Sequence, residues 1–201
     1  MLLIETFIRN VKNLHTLEIV VFSNPYLNNI LEIILHNIDF FHNIKNLKLS
    51  FLAWKDGTVI IETLSKVNDI RFDGCSSIIL QNLGKSLSSK LEHLDLCLNI
   101  KVRDFEEFLK SIQNTFIKKL SIYSRGGDNI LVLLPYLRHY IMKKKCVKYL
   151  AVISGESSYN RMDLLYLKDE VEEFELYNIE VQNYCSNKMV EARGNFVLKI
   201  D

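Results

Sequence analysis

Five histidines and four cysteines are the side chains of this 201-residue chain best suited to acid–base, nucleophilic or metal chemistry. The cysteines (Cys75, Cys97, Cys146, Cys185) form no C-x-x-C pair. The histidines (His15, His36, His42, His93, His139) form no H-E-x-x-H, and none stands at ligand spacing from a cysteine. His36 and His42 fall on different faces of one expected helix. Cys97 and His93 come nearest to a nucleophile and its base, because they share one face of an expected strand. An open strand face supplies neither a third group to orient the base nor shelter from water, so packing and solvation are the plainer reading of both. With no G-x-S-x-G, no G-x-G-x-x-G and no metal motif, the chain is expected to be non-enzymatic, with no catalytic residue, cofactor or metal.

Two further clusters invite a chemical reading. Arg125-Gly126-Gly127-Asp128 resembles a phosphate loop only superficially, since it lacks the G-x-x-x-x-G-K-[ST] spacing; a tight turn before a helix accounts for the glycines. Lys143-Lys144-Lys145 with Lys148 is the single basic cluster; a weak nuclear-import or phosphate-binding patch is one reading, and the plainer one is that lysines ending a helix complement its negative C-terminal dipole and stay solvated. Lys and Arg number 25 against 24 acidic residues, a net charge of +1, so no global field argues for nucleic acid or an anionic membrane as partner. The apolar run Ile130 to Leu137 contains Pro135 and falls far short of the roughly 20 residues that span a bilayer. Leu2-Leu3-Ile4 is broken by Glu5 and is too short for a secretory signal. Cysteine usage shows no disulfide framework, and an intracellular, reducing setting is expected.

The elements that would carry these residues are easier to read. Thirty leucines and 22 isoleucines contrast with seven glycines and two prolines, which excludes a disordered or loop-dominated chain. Their arrangement recurs as apolar-x-x-apolar-x-apolar: Leu14/Leu17/Ile19, Ile44/Leu47/Leu49, Val67/Ile70/Phe72, Leu91/Leu94/Leu96, Ile117/Leu120/Ile122, Val147/Leu150/Val152 and Val171/Phe174/Leu176. A worn eighth copy starts at Asn195, with Leu198 and Ile200. First positions are separated by 30, 23, 24, 26, 30, 24 and 24 residues. Between the copies the apolar period changes to helical i, i+3, i+4 spacing. Helices are expected over 26–43, 58–66, 78–87, 104–115 and 130–145, with short turns at 162–168 and 188–192. Asp104 is placed to cap the fourth, and Pro135 to delay or kink the fifth.

Strand, loop and helix repeating every 23–30 residues is the leucine-rich-repeat unit, in which no single unit buries its apolar face alone. The expected architecture is α/β: one curved leucine-rich-repeat solenoid over residues 1–201, with a concave parallel sheet, helices on the convex face and about seven to eight degenerate repeats. Asn or Cys eight positions after the first apolar site occurs in only two copies, Asn99 and Cys75. The stretches SSKLEHLDLCLN (88–99), SIQNTFIKKLSI (111–122), YIMKKKCVKYLAV (140–152) and LKDEVEEFELYNI (167–179) resemble ribonuclease-inhibitor-like arrays. They are close in wording to fungal F-box-like leucine-rich-repeat families. The resemblance covers the C-terminal part from residue 88 onward. It implies repeats that hold a protein substrate for ubiquitination, and a cullin-ligase adaptor as partner only where an F-box precedes them. MLLIETFIRN reads instead as the back-face helix of an incomplete repeat, with no Leu-Pro-led F-box segment, so a partial array is expected. The alternative is a free-standing recognition or scaffold protein.

On this register the residues beside the inner sites line the concave face. The candidate protein-binding residues are Asp69, Arg71, Asp73, His93, Asp95, Lys119, Tyr123, Tyr149, Ile153, Glu173, Glu175 and Tyr177. Tyr123, Ile153 and Tyr177 would share one column, about 5 Å apart per strand, as the aromatic part of a hot spot. The plainer alternative is that the tyrosines cover core. The carboxylates of Glu173 and Glu175, with Asp69, Asp73 and Asp95, would favour a basic peptide.

Overall fold

The computed structural model of the chain describes residues 15–22, 44–52, 76–84, 87, 89–155, 160–184 and 196–200. Its strands are β1 (Thr16–Phe22), β2 (Asn46–Leu52), β3 (His93–Leu98), β4 (Ile117–Ser124), β5 (Val147–Ser154), β6 (Met162–Asp163), β7 (Glu180–Val181) and β8 (Phe196–Ile200). The fold is α/β, with one mostly parallel sheet in the order β6-β5-β4-β3-β2-β1-β8; β7 also pairs with β5. From β1 to β5, chain order is spatial order, and every one of these neighbours is parallel. The repeat's inner sites become continuous columns. Leu17, Leu47, Leu94, Leu120, Leu150 and Val181 stand side by side, as do Ile19, Leu49, Leu96, Ile122 and Val152. All eleven are buried, none more than 7% exposed. At roughly 1.5–3 kcal/mol for each large apolar side chain withdrawn from water, these columns are a principal stabilising feature of the sheet.

Helices pack on the same side as those columns. Residues 76–84 form α1, Val102–Ile112 form α2, Ile130–Leu137 form α3 and Lys168–Leu176 form α4. In α2, Phe105, Phe108, Leu109 and Ile112 form the buried stripe that i, i+3, i+4 spacing requires, and they join the inner strand residues in one cluster. Asp104, expected to cap α2, lies inside its first turn and accepts a hydrogen bond from Gln81 of α1 at 3.1 Å. The cap comes from Asp128, whose Oδ2 accepts from the Val102 N–H at 2.7 Å. Gly84 lets α1 approach α2, since a Cβ there would stand 1.6 Å from Ser111 Oγ. Asn129 caps α3 by accepting from the Leu131 N–H at 3.0 Å. Pro135 sits inside α3 without ending it. The chain passes from α3 directly into a π-helical turn over Arg138–Met142.

Two expectations of the repeat register require correction. Residues 67–73, read as the third strand, lie outside the described residues; among those described, β2 pairs directly with β3, Leu47 beside Leu94. The seventh copy, Val171/Phe174/Leu176, is helix rather than strand. Its first two sites are i and i+3, which a helix satisfies equally. Glu and Lys favour helix, and Asp169 and Glu170 complement the N-terminal dipole. Phe174 is buried while Leu176 is 82% exposed, and the next parallel strand is β7, through Glu180 and Val181. The worn eighth copy is a strand, but β8 runs antiparallel along β1 at the opposite end of the sheet. It thereby pairs the otherwise open edge of β1. The expected helices over 26–43 and 58–66 and the expected short turn at 188–192 lie outside the described residues, as does the N-terminal segment.

A candidate recognition face

The face of the sheet away from the helices carries three cross-strand columns. The first contains Thr16, Asn46, His93, Lys119 and Tyr149; Asn46 Nδ2 donates to Thr16 Oγ1 at 3.1 Å. The second contains Glu18, Lys48, Asp95, Ser121 and Ala151, with Lys48 Nζ 3.0 Å from Glu18 Oε1. Partly exposed pairs of this kind contribute about 0–1 kcal/mol, and here the pair also aligns neighbouring strands. The third column contains Ser50, Cys97, Tyr123 and Ile153.

A segment from far along the chain closes over part of this face. The Tyr184 hydroxyl donates to Asp95 Oδ1 at 2.9 Å across 89 residues of sequence. Its ring meets Tyr123 edge-on at 5.8 Å, and Cys97, Tyr123 and Ile153 pack with it as a separate buried cluster. The Arg161 guanidinium lies 5.4 Å from the centre of the Tyr123 ring. Burial raises the pKa of the Asp95 carboxyl above its ordinary value, opposed first by the Tyr184 hydrogen bond. Burial, then the Asp95 charge, also raises the Tyr184 phenol. Burial pushes the Cys97 thiol up to about 12, so it stays protonated at neutral pH and is a poor nucleophile. His93, four residues before Cys97 on an extended strand, is about 13 Å away along β3 and does not serve it as a base.

Of the residues expected to bind, His93, Lys119 and Tyr149 lie in the first column, His93 being exposed. Asp95 is held by Tyr184, while Tyr123 and Ile153 are covered, at 5% and 8% exposure. Tyr177 does not extend their column, because it lies in the turn ending α4. Glu173 and Glu175 are also on α4; Glu173 is 2.7 Å from Arg138, which contacts Glu170 as well. The structure therefore separates Glu173, Glu175 and Tyr177 from the sheet face. Asp69, Arg71 and Asp73 lie outside the described residues. Tyr184 was missed, because VQNYCSN carries no repeat signal and its partner is distant in sequence.

A polar cleft of about 270 Å³ opens where β4 and β5 end, lined by Gly126, Gly127, Asn129, Ser154, Gly155, Asn160, Arg161 and Met162. The first two N–H groups of α3 are already used there, Ile130 to Ser154 Oγ and Leu131 to Asn129, each at 3.0 Å. Gly127 is required by packing, since a Cβ would stand 2.3 Å from the Ile100 oxygen. Among the described residues, no group of three or more His, Cys, Asp or Glu side chains is gathered as a metal ion requires. No helix among them is long and apolar enough to cross a membrane. Comparison with protein-family models, with curated proteins and with solved structures finds no match for the chain.

Proposed function

We propose that the chain is a non-enzymatic recognition module, a degenerate leucine-rich-repeat solenoid that binds another protein on the face of the sheet opposite its helices. The observation that carries this reading is the parallel stacking of β1 to β5 in chain order, with inner sites in unbroken columns beneath a largely polar face. A parallel array with same-side crossovers is a common way for repeats to present an extended surface. Support for the binding residues comes from the first column, where Asn46, His93, Lys119 and Tyr149 stay solvent-accessible beside the Glu18–Lys48 pair. The wording shared with F-box-like repeat families favours substrate selection for ubiquitination; a free-standing recognition protein uses the same surface without a ligase. An intracellular location fits the unpaired, buried thiols of Cys97 and Cys146.

Site-specific photo-crosslinking in cells tests the surface. Probes at His93 and Lys119 are expected to capture a protein partner that probes at Leu131 and Val132, exposed on α3, do not capture. Equal capture from both sets would remove the face from consideration. Precipitation of the same complexes tests the ligase: absence of any cullin or adaptor leaves the free-standing reading.

A further inference from the structure

The basic cluster at Lys143–Lys145 and Lys148 is larger in three dimensions than in sequence. Asn46, His93, Lys119 and Tyr149 are paired across β2 to β5, so the residues before them, Lys45, Glu92, Lys118 and Lys148, form a second row along the N-terminal rim of the strands. At about 4.8 Å per strand step this row spans roughly 14 Å, the reach of four to five extended residues. The turn carrying Lys143, Lys144 and Lys145 leads into β5 at the same end. Lys45, Lys118, Lys143, Lys144, Lys145 and Lys148 are all exposed. None is ion-paired among the described residues, whose ion pairs involve Lys48, Lys110 and Arg138. Glu92 is the one acid in the row. Burial first, then Lys118, lowers the pKa of His93 beside this row, opposed by Glu92 and reinforced by Lys119. Phe116, immediately before β4, is 60% exposed at the same rim. Helix-dipole complementarity accounts for lysines 143–145, which follow a helix, but not for Lys45 or Lys148 at the beginning of strands.

We propose that this rim is a docking surface for an acidic polypeptide segment, rich in Glu and Asp and bearing an aromatic or aliphatic residue for Phe116. Charge complementarity selects the sign of the partner. The row holds lysines and no arginine, so it lacks the planar forks that grip phosphate bidentately. A peptide carries one carboxylate per acidic residue, and extended same-side residues recur about every 6.6 Å, between the roughly 4.8 Å from Lys118 to Lys148 and the roughly 9.6 Å from Lys45 to Lys118, differences that long lysine side chains span. The rim adjoins the recognition face but is distinct from it, so the two readings stand or fall on different variants.

Fluorescence polarisation with the full 201-residue chain tests it. The probes are a labelled twelve-residue peptide repeating Glu-Glu-Phe-Glu and a labelled thymidylate oligomer of about twelve nucleotides. The peptide is expected to bind, to weaken steeply with added salt, and to lose at least tenfold in affinity in the double variant Lys118→Glu/Lys148→Glu. Arg103→Glu, on the exposed side of α2, is expected to leave binding unchanged, and Phe116→Ser to weaken it several-fold. Should the charge reversals unfold the chain, Lys118→Gln/Lys148→Gln is expected to give about a threefold loss with unchanged melting. Undiminished peptide affinity in folded variants overturns the proposal. So does oligonucleotide binding as tight as peptide binding.

Discussion

Removing one oxygen atom probes the contact that joins the end of the chain to the middle of the sheet. Tyr184→Phe keeps the ring, and with it the edge-on contact to Tyr123 at 5.8 Å, but deletes the hydroxyl that donates to Asp95 Oδ1 at 2.9 Å. The carboxyl left behind is largely buried, and an acceptor that loses its donor without regaining water costs about 1–3 kcal/mol. For a domain of this size that is a fall in melting temperature of roughly 2–12 °C, at about 2–4 °C per kcal/mol. Tyr184→Ala also discards the aromatic contact and a partly buried ring, so a larger loss of about 2–4 kcal/mol is expected. Urea denaturation measures both, with the midpoint shifted and the m-value retained. The pH dependence has a definite sign. Because burial raises Asp95 above its ordinary 3.8, its charged form opposes folding at neutral pH. That penalty is absent below 3.8 and grows as pH rises through the raised folded value. Asp95→Asn, relative to wild type, should therefore look more favourable at pH 7 than at pH 4. A Tyr184→Phe change below about 0.5 kcal/mol, or an Asp95→Asn difference that is flat with pH, would refute the buried contact.

Other consequences can be checked separately. Leu94, 1% exposed within the longest inner column, should cost about 2–5 kcal/mol as alanine and should prevent cooperative melting at the wild-type temperature as aspartate, both read by calorimetry. Lys145 has φ 51°, a left-handed conformation suited to glycine, so Lys145→Gly should raise stability by about 0.5–1 kcal/mol in urea melts. With its thiol pushed up to about 12, Cys97 should react with iodoacetamide at pH 8 at least 100-fold more slowly than a free cysteine, as followed by peptide mass spectrometry. Alkylation of Cys97 at a free-thiol rate in the folded chain would contradict its placement.

The legible and illegible parts of the fold divide by the range of the interactions that produce them. The inner sites Leu17, Leu47, Leu94, Leu120 and Leu150 were readable because apolar spacing is local and each strand must hide the same face. The buried stripe of α2 was readable for the same reason, since Phe105, Phe108 and Ile112 repeat at the helical period. Spacing could not separate strand from helix at Val171 and Phe174, which satisfy both patterns; helix propensity, the exposure of Leu176 and the demand of β7 for the next inner position decide it. The candidate face was legible only in part. His93, Asp95 and Lys119 follow from alternation along their strands, whereas the cover over Asp95 and Tyr123 depends on a tyrosine far away in sequence.

By itself, then, the sequence determined an α/β chain with apolar columns, a parallel sheet and a helix layer, because burial periodicity acts within a few residues. Only the tertiary structure decided that β2 lies directly beside β3, that β8 turns back antiparallel onto β1, and that isolated lysines converge on one rim. Those outcomes depend on which backbone edges meet in space. Strand pairing uses N–H and C=O groups that every residue but proline shares, so it leaves little trace in side-chain spacing.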